Sequence, residues 1–133
     1  ESPDGSCMIV VATDAPLDAR NLKRLAKRAF LGLGKTGGIA SNGSGDYVIA
    51  FSTAKDLRVA YQSNSKFESQ KVLRNEEMSP LFMAANEATE EAILNSLFAA
   101  ETMTSKMKGK EKRIEALPIK KVLEILKKYN RID

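Results

Sequence analysis

The pattern of the chain places it among the mixed α and β folds, α+β or α/β. Two short apolar runs, residues 7–13 and 46–53, are rich in β-branched side chains and too short for helices. Three longer stretches carry apolar residues at helical spacing, one between the runs and two after them. Both runs are apolar at consecutive positions, so each is expected to be a strand covered on both faces.

Taken in order, Pro3 and the Asp4-Gly5 pair are turn signals ahead of the first strand. Asp14, Ala15 and Pro16 stop that strand. Pro16 suits the first position of a helix, and Asp14 and Asp18 suit its positive end. Leu22, Leu25, Ala26, Ala29, Phe30 and Leu33 then fall on one helical face, with Arg20, Lys23, Arg24, Lys27 and Arg28 around it. Gly32 and Gly34 are expected to stop this helix. Ile39-Ala40 is expected to pair with the strand over 46–53 in a hairpin that turns at Asn42-Gly43. Residues 55–78 are polar and poorly periodic, an excursion loop in which 57–61 has strand character. Ser79 as cap and Pro80 in the first turn open a long helix, with Leu81, Ala84, Ala85, Ala88, Ala92, Leu94, Leu97 and Phe98 in its apolar stripe. So many alanines on one face predict close approach to another element. Residues 106–112 form a charged loop around Gly109. Leu117-Pro118 precedes a short amphipathic helix through Ile119, Val122, Leu123 and Leu126.

Composition excludes several kinds of chemistry. The 133 residues hold 43% apolar and 29% charged side chains, enough for one packed domain. A single cysteine, Cys7, excludes an internal disulfide framework, and with no histidine it also disfavours a zinc site. Without histidine the chain cannot carry a Ser-His-Asp or Cys-His mechanism by itself. No apolar run approaches the roughly 18 residues of a membrane span, and no charged-then-apolar leader is visible, so a cytoplasmic protein is expected. The net charge of +4 concentrates after residue 100, where 10 Lys or Arg face 5 Asp or Glu. One aromatic residue there, Tyr129, and helical apolar spacing favour a solvated helix face over a nucleic-acid or membrane partner.

Residues 29–36 fit a relaxed phosphate-loop pattern ending Gly34-Lys35-Thr36. That chemistry needs strand, loop, then helix; here a helix comes first, and the glycines read as its end. The other feature is Gly5-Ser6 at the start of the first strand. From composition alone, such a serine is structural more often than catalytic.

A set of separated blocks changes that weighting. They are Gly5-Ser6, Ala12-Thr13-Asp14-Ala15-Pro16-Leu17, Leu22-Lys23-Arg24-Leu25, Gly34-Lys35-Thr36-Gly37 and Asn42-Gly43-Ser44-Gly45-Asp46, followed by Ser79-Pro80-Leu81-Phe82, residues 87–97 and Glu115-Ala116-Leu117-Pro118. Together they resemble the L-aminopeptidase/D-alanyl esterase-amidase family, which includes the β-peptidyl aminopeptidases. The resemblance runs in order along the chain except over 55–78. It implies an αββα sandwich like that of the N-terminal-nucleophile hydrolases, completed by an α chain that this sequence lacks. It implies a precursor that cuts itself at Gly5-Ser6, so that residues 1–5 belong to the α-chain region and 6–133 form the β chain, one domain of a larger αβ unit. Such units assemble into homo-oligomers, no cofactor is implied, and the substrates are short peptides, amides or esters. The β chain is expected to be insoluble or unfolded without its partner.

In that reading Ser6 is the nucleophile. A serine hydroxyl needs a base, and a free α-amino group, with a pKa near ~7.7–8.0, supplies one without histidine. Gly5, lacking a Cβ, is expected to admit strained dihedrals and leave its carbonyl open to attack. Cys7 competes as nucleophile, but strand alternation turns it to the opposite face. By the resemblance Ser44 and Asp46 carry a second catalytic element, a Ser-x-Glu pair in which Asp46 stands for Glu and is one methylene shorter. Ser44 is expected to hydrogen-bond the nucleophile or its amine, and Asp46 to orient Ser44 or stabilise the ammonium. Asn42 is either a turn residue or a substrate contact. Two alternatives stand beside the peptidase: a non-catalytic or unprocessed subunit, and an ornithine acetyltransferase type, which carries threonine where this chain has Ser6.

Overall fold

The structure, a computed structural model, describes residues 5–107 and 109–133. The turn read at Pro3 and Asp4, and with it most of the tail 1–5, lies outside the described residues. Strand β1 (Met8–Thr13) leads to helix α1 (Ala19–Lys35) and strand β2 (Tyr47–Ser52); helix α2 (Ser79–Ala99), strands β3 (Met103–Met107) and β4 (Lys110–Ile114) and helix α3 (Ile119–Lys128) follow. Two compact units result, one through Glu91 and one from Ala92 to Asp133.

In the first unit β1 and β2 pair in parallel, from Met8 opposite Tyr47 to Thr13 opposite Ser52. A parallel pair needs a crossover, and α1 supplies it. The hairpin expected from Ile39-Ala40 does not form. Residues 39–40 are outside any strand, Ala40 has a positive φ of 47°, and β2 spends its ladder on β1. The Asn42-Gly43 turn itself is present, closed by the Ser44 N–H on the Ser41 carbonyl at 3.0 Å.

α1 begins later than Pro16 suggests. Asp18 is its cap, and the Asp18 side chain accepts the Asn21 N–H at 2.7 Å. Pro16 lies in the connecting turn, where Leu17 is buried; Asp14 is four residues before the cap and outside the first helical turn. The far end also differs from expectation. Gly32 and Gly34 are helical, and Gly37 makes the stop, at φ +95°. The Gly38 N–H reaches the Leu33 carbonyl and the Gly37 N–H reaches the Gly34 carbonyl, both at 3.1 Å, which is the Schellman pattern. Gly32 serves packing instead. A Cβ there would stand 2.5 Å from the Asn86 carbonyl oxygen and 2.8 Å from the Thr89 Cβ, so α1 and α2 touch backbone to backbone.

The core gathers Leu17, Leu25, Met78 and Ala85, with Val11, Leu22, Leu73, Leu81 and Phe82 against them. On α1 the buried line is Asn21, Leu25, Ala29 and Gly32; Phe30, expected on that face, is exposed. On α2 the buried residues are Ala85 and Thr89, while Ala84 and Ala88 face outward. Of the four alanines read into the stripe only Ala85 is buried, Ala92 being exposed as well, and the close approach to α1 is made beside Thr89. The Thr89 hydroxyl is satisfied by the Ala85 carbonyl at 2.7 Å. A 3-10 turn, Asn75–Met78, runs straight into α2, so Ser79 is already helical and does not cap it. Another 3-10 turn, Lys55–Leu57, opens the excursion loop, and 58–61 form no strand.

Among the described residues the sheet is covered on one face only, where the sequence reads both strands as covered on two. Alternate residues of β1 and β2 are half-buried on the side that α1 packs against. On the other side Met8, Val10, Tyr47, Ile49 and Phe51 are exposed, Val10 and Tyr47 by 64% and 62%.

In the second unit the charged segment around Gly109 is not a loop. β3 and β4 form an antiparallel hairpin, Met103 opposite Ile114, and Gly109 turns it at φ +76°. Every residue of β4 is exposed. α3 follows Pro118 as the spacing predicts.

Candidate active site

The site is assembled where the entry to β1 meets the segment that leads into β2. Parallel pairing starts at Met8 and Tyr47, so the residues just before each strand are neighbours although 39 positions apart. The Tyr47 N–H donates to the Cys7 carbonyl at 3.0 Å and closes the ladder. Beyond it, backbone pairing gives way to bonds that involve side chains.

Asp46 uses both carboxylate oxygens. Its Oδ1 accepts the Cys7 N–H at 2.8 Å, and its Oδ2 accepts the Ser44 hydroxyl at 2.7 Å. The Ser44 Oγ also lies 3.0 Å from the Ser41 carbonyl. One hydroxyl has one proton, and the charged, nearer carboxylate is the stronger acceptor. Ser6, which is exposed, receives the Gly45 N–H on its Oγ at 3.0 Å. Thus the tripeptide Ser44-Gly45-Asp46 grips residues 6 and 7 by a main-chain donor and a side-chain acceptor.

Ser6, Ser44 and Asp46 are therefore brought to one place. The hydrogen bond to the Ser6 hydroxyl comes from the Gly45 amide, where the sequence pointed to Ser44. Gly45 was not singled out; its position between Ser44 and Asp46 is the only signal that marks it, since a backbone donor leaves no side-chain trace. Asn42 occupies the exposed corner of the 41–44 turn. Among the described residues, a Cβ at Gly5 would meet nothing within 4 Å. Cys7 is half-buried with a free thiol, on the side opposite the exposed Ser6 and Met8, as alternation requires.

The phosphate-loop look-alike is helical from Ala29 to Lys35, so no loop amides are available to cradle a phosphate. Lys35 pairs instead with Glu90 on α2 at 2.9 Å. No described helix is long and apolar enough to cross a membrane.

Comparison with known proteins bears on the family and the fold. The family model for peptidase family S58 matches residues 1–111. The β-peptidyl aminopeptidase BapA of Sphingosinicella microcystinivorans is 46% identical over 129 residues, 97% of this chain and 31% of the relative. Among solved structures, the PH0078 protein of Pyrococcus horikoshii superposes with a TM-score of 0.80 at 46% identity, over 93% of this chain and 34% of that one. The L-aminopeptidase D-Ala-esterase/amidase of Ochrobactrum anthropi also gives 0.80, at 35% identity over 94% and 34%. That enzyme is described as a prototype for the serine aminopeptidases and a variant of the N-terminal-nucleophile hydrolase fold. The chain spans about a third of the length of these relatives.

Proposed function

The chain belongs to peptidase family S58, and from that premise we propose that it is the β-chain part of a self-processing serine aminopeptidase. Its α+β fold is that of the matching third of N-terminal-nucleophile-type serine aminopeptidases. The observation that carries the reading is the grip of Ser44-Gly45-Asp46 on Ser6 and Cys7. It holds the serine by bonds that do not depend on the Gly5-Ser6 peptide, so the residue stays in place once that peptide is cut.

In self-processing, the Ser6 Oγ attacks the Gly5 carbonyl carbon. Its proton passes to the Ser6 nitrogen, the C–N bond breaks, and an ester joins Gly5 to the Oγ. Water then attacks this ester, releasing the Gly5 carboxylate with a free Ser6 hydroxyl and amine. Residues 1–5 end the α-chain region, and residues 6–133 are the β chain. In turnover, the Ser6 α-amine takes the hydroxyl proton as the Oγ attacks the substrate carbonyl. The proton passes to the departing amine, and an acyl-enzyme remains on Ser6. Water, deprotonated by the same amine, cleaves it. Ser44 is the second hydroxyl of the site, oriented by Asp46. Asn42, at the exposed corner of the preceding turn, is the substrate contact this segment offers.

The substrates are the N-terminal residues of short peptides, amides or esters. The exposed apolar face of β1 and β2 supports a second partner: the α chain from the same precursor lies on it, and αβ units assemble further into a homo-oligomer.

The test uses the full-length precursor. Intact mass is expected to show a chain that begins at Ser6. Ser6→Ala is expected to abolish both the cut and hydrolysis of an aminoacyl p-nitroanilide; retained hydrolysis would remove Ser6 from the mechanism. With the amine as base, kcat/KM rises with pH through roughly 7.7–8.0 as the ammonium loses its proton. A profile with no limb in that range overturns the amine's role.

A further inference from the structure

We infer that the Gly45 main-chain N–H is a catalytic group of this site: it binds the reacting oxygen of Ser6 and stabilises negative charge there each time the Oγ–acyl bond is made or broken. The inference rests on the proposed role of Ser6 and assigns a new task within it.

The geometry separates this donor from one that would serve the substrate carbonyl oxygen. Gly45 N lies 3.0 Å from the Ser6 Oγ itself. A hydroxyl has one proton and two lone pairs. The Gly45 N–H occupies one lone pair, which leaves the other free to attack and the O–H free to point at a base. The bond thereby selects an orientation of the hydroxyl as well as supplying charge. As the proton leaves for the amine, the Oγ gains negative charge, and a fixed donor becomes stronger at that moment. In deacylation the same atom is the leaving oxygen of an ester, and the same N–H faces it.

The donor is held before reaction begins. Its peptide is fixed on one side by the Ser44 N–H on the Ser41 carbonyl at 3.0 Å, and on the other by Asp46 on the Cys7 N–H at 2.8 Å. Little reorganisation is needed, which is the condition under which a single amide contributes most. The absence of a side chain at 45 is not itself required. A Cβ there would stand 3.5 Å from the Ser6 Oγ and from the Tyr47 Cε2, both ordinary contacts.

That last point supplies the control. In the full-length precursor, Gly45→Ala keeps the N–H and adds only a Cβ, so it measures the steric part of any loss and is expected to lower kcat less than either variant that removes the N–H. Gly45→Pro removes it, as does glycolic acid at position 45, an ester in place of the amide, introduced by cell-free translation with the α-hydroxy acid. Both are expected to lower kcat by about 10- to 100-fold, the scale of one hydrogen bond to a charged group. KM for an aminoacyl p-nitroanilide stays within about twofold, and the rate of self-cleavage falls by a comparable factor. Should Gly45→Pro fail to assemble, the glycolate variant decides alone, because it keeps the shape of the chain. If the variant does not mature, the lost self-cleavage is the readout. An unchanged kcat in the glycolate variant overturns the inference, and so does an equal loss in Gly45→Ala. Ser6→Ala separates the two levels: if it retains activity, the reading of Ser6 has failed, and if it is dead while the glycolate variant keeps its full kcat, only the role of Gly45 has.

Discussion

The two faces of the β1–β2 pair are built from the same kinds of residue and have different fates. On one face α1 closes over Ile9, Val11, Val48 and Ala50, and the core around Leu25 and Met78 lies beyond. On the other, Met8, Val10, Tyr47, Ile49 and Phe51 are as apolar and remain exposed. Ser6 enters the sheet on the open side and Cys7 on the covered side. In the proposed reading, these five large apolar side chains meet the α chain. Adjacent residues thus sit on opposite faces, and the proposed mechanism gives chemistry to one and packing to the other.

The sharpest way to break this contrast is at the two neighbouring residues. Ser6→Ala is expected to lower hydrolysis by about 10³-fold or more, as removal of a nucleophile does. Cys7→Ala is expected to leave kcat unchanged and to cost only about 1 kcal/mol of stability, the loss of a half-buried sulfur. Steady-state rates and a urea titration of the assembled protein check both. Loss of activity in Cys7→Ala with normal folding would reverse the assignment of faces.

Next in size are changes that probe each face through packing. Leu25→Ala on the covered side is expected to cost about 2–5 kcal/mol, because Leu25 is 2% exposed and faces Met78 and Ala85. Phe51→Asp on the open side separates two situations. If another layer covers the face, the buried carboxylate destabilises the assembled protein by about 2–4 kcal/mol or blocks assembly, seen by gel filtration. If the face stays in water, the cost is within about 0.5 kcal/mol.

These two faces also mark what the sequence made legible. The positions of β1, β2, α1 and α3 follow from local periodicity, which reports whether a residue is apolar but not what covers it. The parallel pairing was hidden because β1 and β2 are far apart in the chain, and Asn42-Gly43 suggested a local partner instead. The β3–β4 hairpin was hidden because a segment such as Lys110–Ile114 is exposed throughout, with no alternation to read. Gly32 looked like a helix stop and proved to be a packing contact, since a missing Cβ serves either purpose. At the site, Ser6, Ser44 and Asp46 were legible as a family resemblance. The bonds from Cys7 and Gly45 were not, because main-chain amides look the same at every position of a sequence.

The smallest expected effect tests how firmly α1 is fixed over the covered face. Asp18 is its cap: the side-chain oxygen accepts the Asn21 N–H at 2.7 Å, and Asn21 is 3% exposed. Removing that acceptor leaves a buried-residue amide without its bond in the first helical turn, where no carbonyl lies one turn back to replace it. Asp18→Ala is therefore expected to cost about 1–2 kcal/mol, the upper part of the usual range for a lost cap. Asp18→Asn, which keeps an oxygen in place, is expected to recover most of it. The measurement is the urea midpoint of the assembled protein, with the slope unchanged. Activity at saturating substrate stays near normal, because Asp18 precedes α1 while Ser6 and Gly45 lie at the other end of both strands. A midpoint that does not move would mean that the covered face is held by its side chains alone, with no contribution from the start of the helix.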